Sequence, residues 1–407
     1  MNRRSRASSA LPALPVLALA LTLLTAGAAS AAPVPAPGVS AAAGATAAES
    51  GIELPRPAGP YAVGVQTLHL TDHTRRDPWV PSADRELMVS VHYPARAGRG
   101  APAPYMTDEE AGLLLEARGL GGVVPAATVG ATRTHARQDA GPAAGRFPLL
   151  LLSPGFSMPR ATLTSLADDL ASRGYVVAAV DHAYESVGTA FPGGRVLTCL
   201  ACEQVTDDEE QARAVVGRAD DLSFVIDRLT GRNGPAVTVR GRPGLPYAHM
   251  IDPKRIGAAG HSIGGASAAA LMARDERVRA GVNLDGDFFA PLPAGGLGGR
   301  PFMMMGAEST HAPTAGASDW PAAWALLDGW KRWLTVSGAE HFSFTDLPVL
   351  ADQLGLADPA APLTGQRSWQ LTRDYVAAFF DVHLRGASDP LLDGPAADRP
   401  EITFQQP

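Results

Sequence analysis

Lysine occurs twice in this chain, at Lys254 and Lys331, and cysteine twice, at Cys199 and Cys202. Arginine therefore carries nearly all the positive charge, and acids outnumber bases for a formal net charge of −7. A phosphate binder needs a basic face, so this balance points away from a nucleic-acid partner. Long apolar runs are also missing. The stretch from Leu11 to Leu24 is broken by Pro12 and Pro15 and falls short of the ~20 residues that span a bilayer. With Arg3, Arg4 and Arg6 ahead of it and Ala29-Ser30-Ala31 behind, it reads as a signal peptide over 1–31 rather than an anchor. The Arg3-Arg4 pair is compatible with the general or the twin-arginine export route. Neither cysteine lies near the cleavage site, which excludes a lipoprotein anchor. In an exported chain the C-x-x-C of "LTCLACEQ" is expected to close as a Cys199–Cys202 disulfide. There is no second pair to complete a zinc site, and the motif follows a Gly/Pro-rich loop, whereas redox-active pairs open a helix straight after a strand.

What is there is the composition of a large globular enzyme, 46% hydrophobic and 18% charged. Residues 32–55 are rich in Ala, Pro and Gly and read as a flexible leader. The domain is expected over 56–407. From Phe147 onward, short apolar runs alternate with helical patterns, which predicts βαβ units and a mostly parallel sheet flanked by helices. "FPLLLLS" has no polar alternation and reads as a buried central strand. "RATLTSLADDLASRG" reads as an amphipathic helix stopped by Gly174, and "YVVAAVDH" as the next strand. A long helix is expected over "TDDEEQARAVVGRADDLSFVIDRL", capped by Thr206. "RIGAAG", "VRAGVNLD", "PFMMMG" and "RWLTVSGAEH" are further strands, and "RSWQLTRDYVAAFFDVHL" a closing helix. "YAVGVQTLHL" and "RELMVSVHYPA" predict an antiparallel pair leading into the sheet. Residues 101–145 form an Ala/Gly-rich insertion with one helical patch, read as a covering segment or a surface insertion.

The stretch "RIGAAGHSIGGASAAALMA" carries the chemistry. An apolar strand runs into Gly260-His261-Ser262-Ile263-Gly264, and a helix of small residues follows. G-x-S-x-G at such a junction is a nucleophile elbow, a sharp turn that exposes the serine at the sheet edge while the glycines let strand and helix pass closely. A serine hydroxyl needs a base, and the base an orienting acid. Downstream, Asp285 ends the strand "RAGVNLD" and His341 follows "LTVSGAE", giving the chain order Ser262, Asp285, His341. Asp287 is the rival acid, and His182 and His311 are loop histidines with weaker positional logic. The pair Asp285-x-Asp287 lacks the remaining ligands of a calcium loop. Two backbone N–H donors are needed for the oxyanion. Ile263, just after the serine, supplies one. The other is expected from "SPGFSMPR", at Phe156, because Pro154 has no N–H.

Together "LLSPGFSMPRATLTSLADDLASRGYVVAAVDH", "AGHSIGGASA", "AGVNLDG" and "SGAEHFSFTD", with "VHYPA" ahead of them, resemble the secreted platelet-activating factor acetylhydrolase family. A group of bacterial lipases and polyester hydrolases lies near that family. The resemblance covers roughly Glu86 to Arg385. It implies an α/β-hydrolase fold, triad roles for Ser262, Asp285 and His341, and an oxyanion hole from Phe156 and Ile263. Animal members carry His before the oxyanion glycine, where this chain has Pro154, as the bacterial lipases do. The expectation is a secreted, extracellular serine hydrolase that cleaves short-acyl lipid or phospholipid esters through an acyl-enzyme, at a lipid interface, with no cofactor and no metal. Bulky Phe156 and Met158 near the acyl position support the short chain. A lipase or cutinase-like polyester hydrolase is one alternative, and a non-catalytic binding protein on the same fold another.

Overall fold

The computed structural model describes residues 51–231, 238–239, 242–243, 247–316 and 318–406. The expected signal peptide and most of the expected leader lie outside the described residues. Ten strands make one sheet: β1 (Ala62–Arg76), β2 (Asp84–Ala95), β3 (Ala136–Gln138), β4 (Phe147–Ser153), β5 (Val176–His182), β6 (Ile251–His261), β7 (Val278–Leu284), β8 (Phe302–Ala307), β9 (Lys331–Val336) and β10 (Ile402–Gln405). Their spatial order is β10-β9-β8-β7-β6-β4-β5-β2-β1-β3. The strands from β9 across to β5 run parallel, and β2 joins β5 antiparallel. The β1–β2 pair is antiparallel, as its sequence predicts.

β4 is central and every residue of it is buried. Its side chains alternate between two cores, as the pleat requires. Leu149 and Leu151 pack with Leu222, Val225, Leu271 and Met272, which belong to α3 (Asp208–Thr230) and α4 (Ile263–Arg274). Leu150 and Leu152 pack on the other face with Leu166 and Leu170 of α2 (Thr164–Ser172) and Phe379 and Phe380 of α5 (Gly365–Arg385). Helix α1 (Asp108–Ala117) lies in the insertion. Both faces of the sheet are thus covered, which is why the strands read as unbroken apolar runs. Among the described residues no helix is long and apolar enough to cross a membrane.

Several elements differ from expectation. The folded unit begins before Arg56. Ile52 and Leu54 are buried against Tyr105, Leu114 and Leu350, and the Leu54 N–H donates to the Arg133 carbonyl. Two apolar side chains in an otherwise small-residue leader suffice to dock it. Helix α2 is amphipathic as expected, yet both its faces are buried: Leu166 and Leu170 enter the core, while Asp168 pairs with His92 and Asp169 accepts from the Ala58 N–H. The N-cap of α3 is Asp207, whose carboxylate accepts from the Glu210 N–H. Thr206, the expected cap, instead donates its own N–H and hydroxyl to the Glu210 carboxylate. The short β10 adds to β9 antiparallel and was not expected from "EITFQQP".

Residues 101–145 contain α1, a short helix at Ala126–Gly130 and β3, and their apolar side chains form a satellite cluster with Met158. A cavity of about 590 Å³ opens beneath this segment, over β1, β2 and β5. Gln66, Ser90, Arg160 and Asp181 line it, and Ser262, Asp285 and His341 do not.

Cys199 and Cys202 are joined in a disulfide. The closed loop is so short that loss of chain entropy gives it about 2 kcal/mol at most. A Cys199→Ser/Cys202→Ser variant is expected to melt only a few degrees below the parent and to keep its esterase rate. Scanning calorimetry with an activity assay checks this, and loss of the folded state would contradict it.

Candidate active site

The parallel strands bring the C-terminal ends of β4, β6, β7, β8 and β9 to one edge, and the loops that leave them carry the candidate groups. Ser262 sits between β6 and α4 with φ 55° and ψ −130°, a conformation that costs of order 1–3 kcal/mol and persists only where packing enforces it. The packing is backbone on backbone. A Cβ on Gly264 would lie 2.0 Å from the Ser153 carbonyl oxygen, and one on Gly260 would lie 2.3 Å from the Gly264 backbone. Only glycine fits at either position, so the motif's two glycines are explained by close approach. The Ser262 N–H is tied to the Leu284 carbonyl of β7 at 2.8 Å.

The structure brings His341 and Asp285 together. His341 Nδ1 lies 2.6 Å from Asp285 Oδ2. The other carboxylate oxygen accepts the Ala307 N–H at 2.6 Å. Burial pushes the Asp285 carboxyl up, but the His341 hydrogen bond, the nearby His311 and the Ala307 N–H together hold it below the usual carboxylate range. The turn that presents it has Asp285 at φ 57° and is fixed by Asn283, whose side chain bonds both the N–H and the carbonyl of Gly286. Asp287 points elsewhere: it is half-exposed and accepts from the Ser318 hydroxyl. His311 lies behind Asp285, with Nε2 3.5 Å from Oδ1, stacked on Trp320 at 4.1 Å between ring centres. Sequence pattern alone left His311 as a loop histidine. Its place directly after β8 was the available signal.

Phe156 and Ile263, the expected oxyanion donors, belong to one neighbourhood. Their side chains share a small apolar cluster with Trp79, Phe289 and Ala290. Ile263 opens α4, where the first N–H groups have no intrahelical acceptor. Met158 lies against Gly155 of the β4 loop, near His261. It is buried among the insertion's side chains, and the Arg118 guanidinium donates to its sulfur while stacking on the Phe342 ring. Among the described residues no group of three or more His, Cys, Asp or Glu side chains is arranged to hold a metal ion.

His261, inside the elbow, is fully buried and was not singled out from sequence. Its Nε2 bonds the His341 carbonyl at 2.7 Å, and its ring centre lies 4.6 Å from that of His341. It thus ties the serine turn to the loop that carries the candidate base.

A central parallel sheet, an elbow serine and a His–Asp pair at the strand ends define an α/β-hydrolase, and the chain is a serine ester hydrolase. The model of the platelet-activating factor acetylhydrolase, isoform II, family matches residues 46–195. A probable 1-alkyl-2-acetylglycerophosphocholine esterase from Arthroderma benhamiae is 28% identical over 88% of this chain and 95% of that protein. A platelet-activating factor acetylhydrolase from Bos taurus is 24% identical over 74% of this chain and 70% of its own length. Among solved structures, a ferulic acid esterase from Streptomyces cinnamoneus is 44% identical, with a TM-score of 0.77 over 88% of this chain and all of that one.

Burial, with His341 close by, pushes the His261 imidazole down to about 4, against the opposing hydrogen bond to the His341 carbonyl. A histidine whose folded pKa is depressed stabilises the fold fully above the unfolded value of about 6.5. That contribution is lost as pH falls towards the folded value, at up to about 1.4 kcal/mol per pH unit. Asp346 works in the opposite sense, since burial raises its carboxyl to about 7 and its contribution fades as pH rises. The difference between parent and His261→Asn isolates the histidine. Urea unfolding between pH 6 and 4.5 should show the parent losing stability faster than the variant by about one proton's slope. Parallel pH curves would contradict the assignment.

Proposed function

We propose that Ser262, His341 and Asp285 hydrolyse carboxylic esters through an acyl-enzyme on Ser262. The observation that carries the reading is the 2.6 Å pairing of His341 Nδ1 with Asp285 beside a serine held in the strained elbow turn. In this reading His341 Nε2 takes the Ser262 proton as Oγ attacks the ester carbonyl. The N–H groups of Ile263 and Phe156 receive the negative oxygen of the tetrahedral intermediate. Asp285 keeps the proton on Nδ1 and stabilises the imidazolium. His341 then returns the proton to the departing alkoxide, which leaves Ser262 acylated. A water deprotonated by His341 attacks the acyl carbonyl, and the acid departs with the serine restored.

Ser262→Ala is expected to remain folded with kcat reduced by about 10⁴–10⁶-fold. Asp285→Asn should lose about 10⁴-fold, because Asn holds the wrong histidine tautomer, while Asp287→Asn stays near the parent. Steady-state rates on p-nitrophenyl acetate check all three. Retained turnover in the serine variant, or a crippled Asp287→Asn enzyme, would overturn the assignment. Labelling of Ser262 by a fluorophosphonate separates a live nucleophile from a binding protein on the same fold.

For the substrate, we propose short acyl groups on lipid-like alcohols, the phospholipid type included, met outside the cell. The names of the fungal and bovine relatives support the acyl group. The basic, apolar and small-residue pattern of residues 1–31 and the Cys199–Cys202 disulfide support export. One observation favours a second reading. Trp79, Phe156 and Phe289 gather beside Ile263 and offer an aromatic rim next to the serine. Such a rim suits a planar aromatic acyl group, as ferulic acid is, after which the Streptomyces cinnamoneus esterase is named. A pocket discriminates by ~1–3 kcal/mol per methylene, so chain-length preference should be graded. Comparing kcat/KM for p-nitrophenyl acetate, butyrate, octanoate and palmitate should give the maximum at or below butyrate. A maximum at octanoate or beyond promotes the lipase or cutinase-like reading. Faster turnover of methyl ferulate than of methyl butyrate promotes the aromatic one.

A further inference from the structure

Behind the elbow lies a second array of serine, histidine and aspartate. Ser153, at the end of β4, has its Oγ 3.0 Å from His182 Nε2, and His182 Nδ1 lies 2.8 Å from Asp221 Oδ2. All three are buried, with Ser153 and Asp221 fully sealed from solvent, so no ester can reach the hydroxyl. A triad's connectivity is present without access. The array must therefore be explained by what it holds.

It holds Arg218. This guanidinium, on α3, is itself buried. Its Nη1 donates to the Pro154 carbonyl at 2.6 Å and reaches Ser153 Oγ at 3.5 Å, while its Nε donates to Glu185 Oε2 at 2.7 Å. Pro154 precedes Gly155 and Phe156, the proposed oxyanion donor. On the far side of Phe156, the Ser157 N–H donates to the Glu185 carbonyl at 3.0 Å, and the Ser157 carbonyl accepts from the Val187 N–H. Only Gly155 and Phe156 lie between these anchors, and glycine places little restraint on its own dihedrals. The direction of the Phe156 N–H is then set by the bonds on either side. Glu185 grips both, one through its side chain and Arg218, the other through its backbone.

We infer that Arg218 is a positioning residue for ester hydrolysis: by clamping the Pro154 carbonyl against the buried Ser153–His182–Asp221 array, it aims the Phe156 N–H at the oxyanion. The inference rests on the reading of Ser262 as nucleophile and of Phe156 as donor. Its charge-assisted bond to a carbonyl is the strong kind, and no neutral neighbour on this loop replaces it. Loss of a complete oxyanion donor costs about 10²–10³-fold in kcat, so a misaimed one should cost somewhat less.

The test is Arg218→Lys, whose shorter, forkless ammonium cannot serve Glu185 and Pro154 together. Assayed well below its melting temperature on p-nitrophenyl butyrate, it should lose about 10–100-fold in kcat with KM within about twofold. Its affinity for phenylboronic acid, which forms a tetrahedral adduct, should weaken in step with kcat/KM. If that variant does not fold, Arg218→Met/Glu185→Gln removes the ion pair while the glutamine oxygen can still accept from Arg85 and Trp79, and the same losses are expected. A folded variant with parental kcat and boronate affinity but a lower melting temperature would overturn the positioning role and leave a structural one. Fluorophosphonate labelling keeps the two levels apart. A parent enzyme that is not labelled at Ser262 overturns the nucleophile reading and this inference with it, whereas a labelled variant with undiminished turnover overturns the inference alone.

Discussion

The carboxylate of Asp221 is where distant parts of the chain meet. It accepts from Arg85 at 2.7 Å, bonds His182 and is reached by Arg75 at 2.9 Å. Arg85 in turn donates to Asp77, Glu185 and the Ala183 carbonyl. Burial pushes the Asp221 carboxyl up, but Arg85 and His182 hold it well below the usual carboxylate range. The β1–β2 pair, the end of β5 and helix α3 are thus fastened at one point. Each ion here has lost its water, and only complete pairing offsets that cost. Removing a single partner from such a group costs about 3–5 kcal/mol, while the intact group adds little net stability over an apolar filling. What it supplies is geometry, at the end of β5, beside the loop from β4 that carries Phe156, the proposed oxyanion donor.

The site is assembled from the ends of parallel strands, and its parts are cross-tied. β7 accepts the Ser262 N–H and presents Asp285 on the following turn. β8 supplies the Ala307 N–H that occupies one oxygen of Asp285. Inside the elbow, His261 reaches the His341 carbonyl, so the proposed base cannot move far from the serine turn without breaking that hydrogen bond. The strained backbone at Ser262 is tolerable because these contacts and the Gly264–Ser153 approach leave it no other path.

Much of this was legible in sequence because it depends on short-range pattern. Unbroken apolar runs mark doubly covered strands, and a small-residue turn between strand and helix marks the elbow. Asp285 was legible from its strand end, and its pairing with His341 follows from chain order. The buried charge group was not legible. Arg85, Glu185, Arg218 and Asp221 look like ordinary surface charges, and only the fold reveals that their partners lie across the sheet edge. The docking of Ile52 and Leu54 was hidden by the composition around them. The cap of α3 went to Asp207 rather than Thr206 because two adjacent residues can each bond the same first turn, and the carboxylate faced the N–H. His261 was hidden by its position as the variable residue of a motif read for its serine.

The segment around Glu53 bears on the order in which the molecule is completed. The Glu53 N–H donates to the Gln353 side chain, which returns a bond to the Glu53 carbonyl, and the neighbouring Ile52 and Leu54 exchange backbone bonds with Arg133. Glu53 thus closes on a side chain 300 positions later. Contacts of such separation are slow to form, because the entropy of closing the intervening chain is lost before any of them is made. A chain emerging N-terminus first can pair this end with Arg133 early, but the bonds to Gln353 wait until nearly all of the sheet exists. The cluster that joins Ile52, Leu54 and Met158 to Leu350 is closed on that side only when the neighbouring Gln353 arrives.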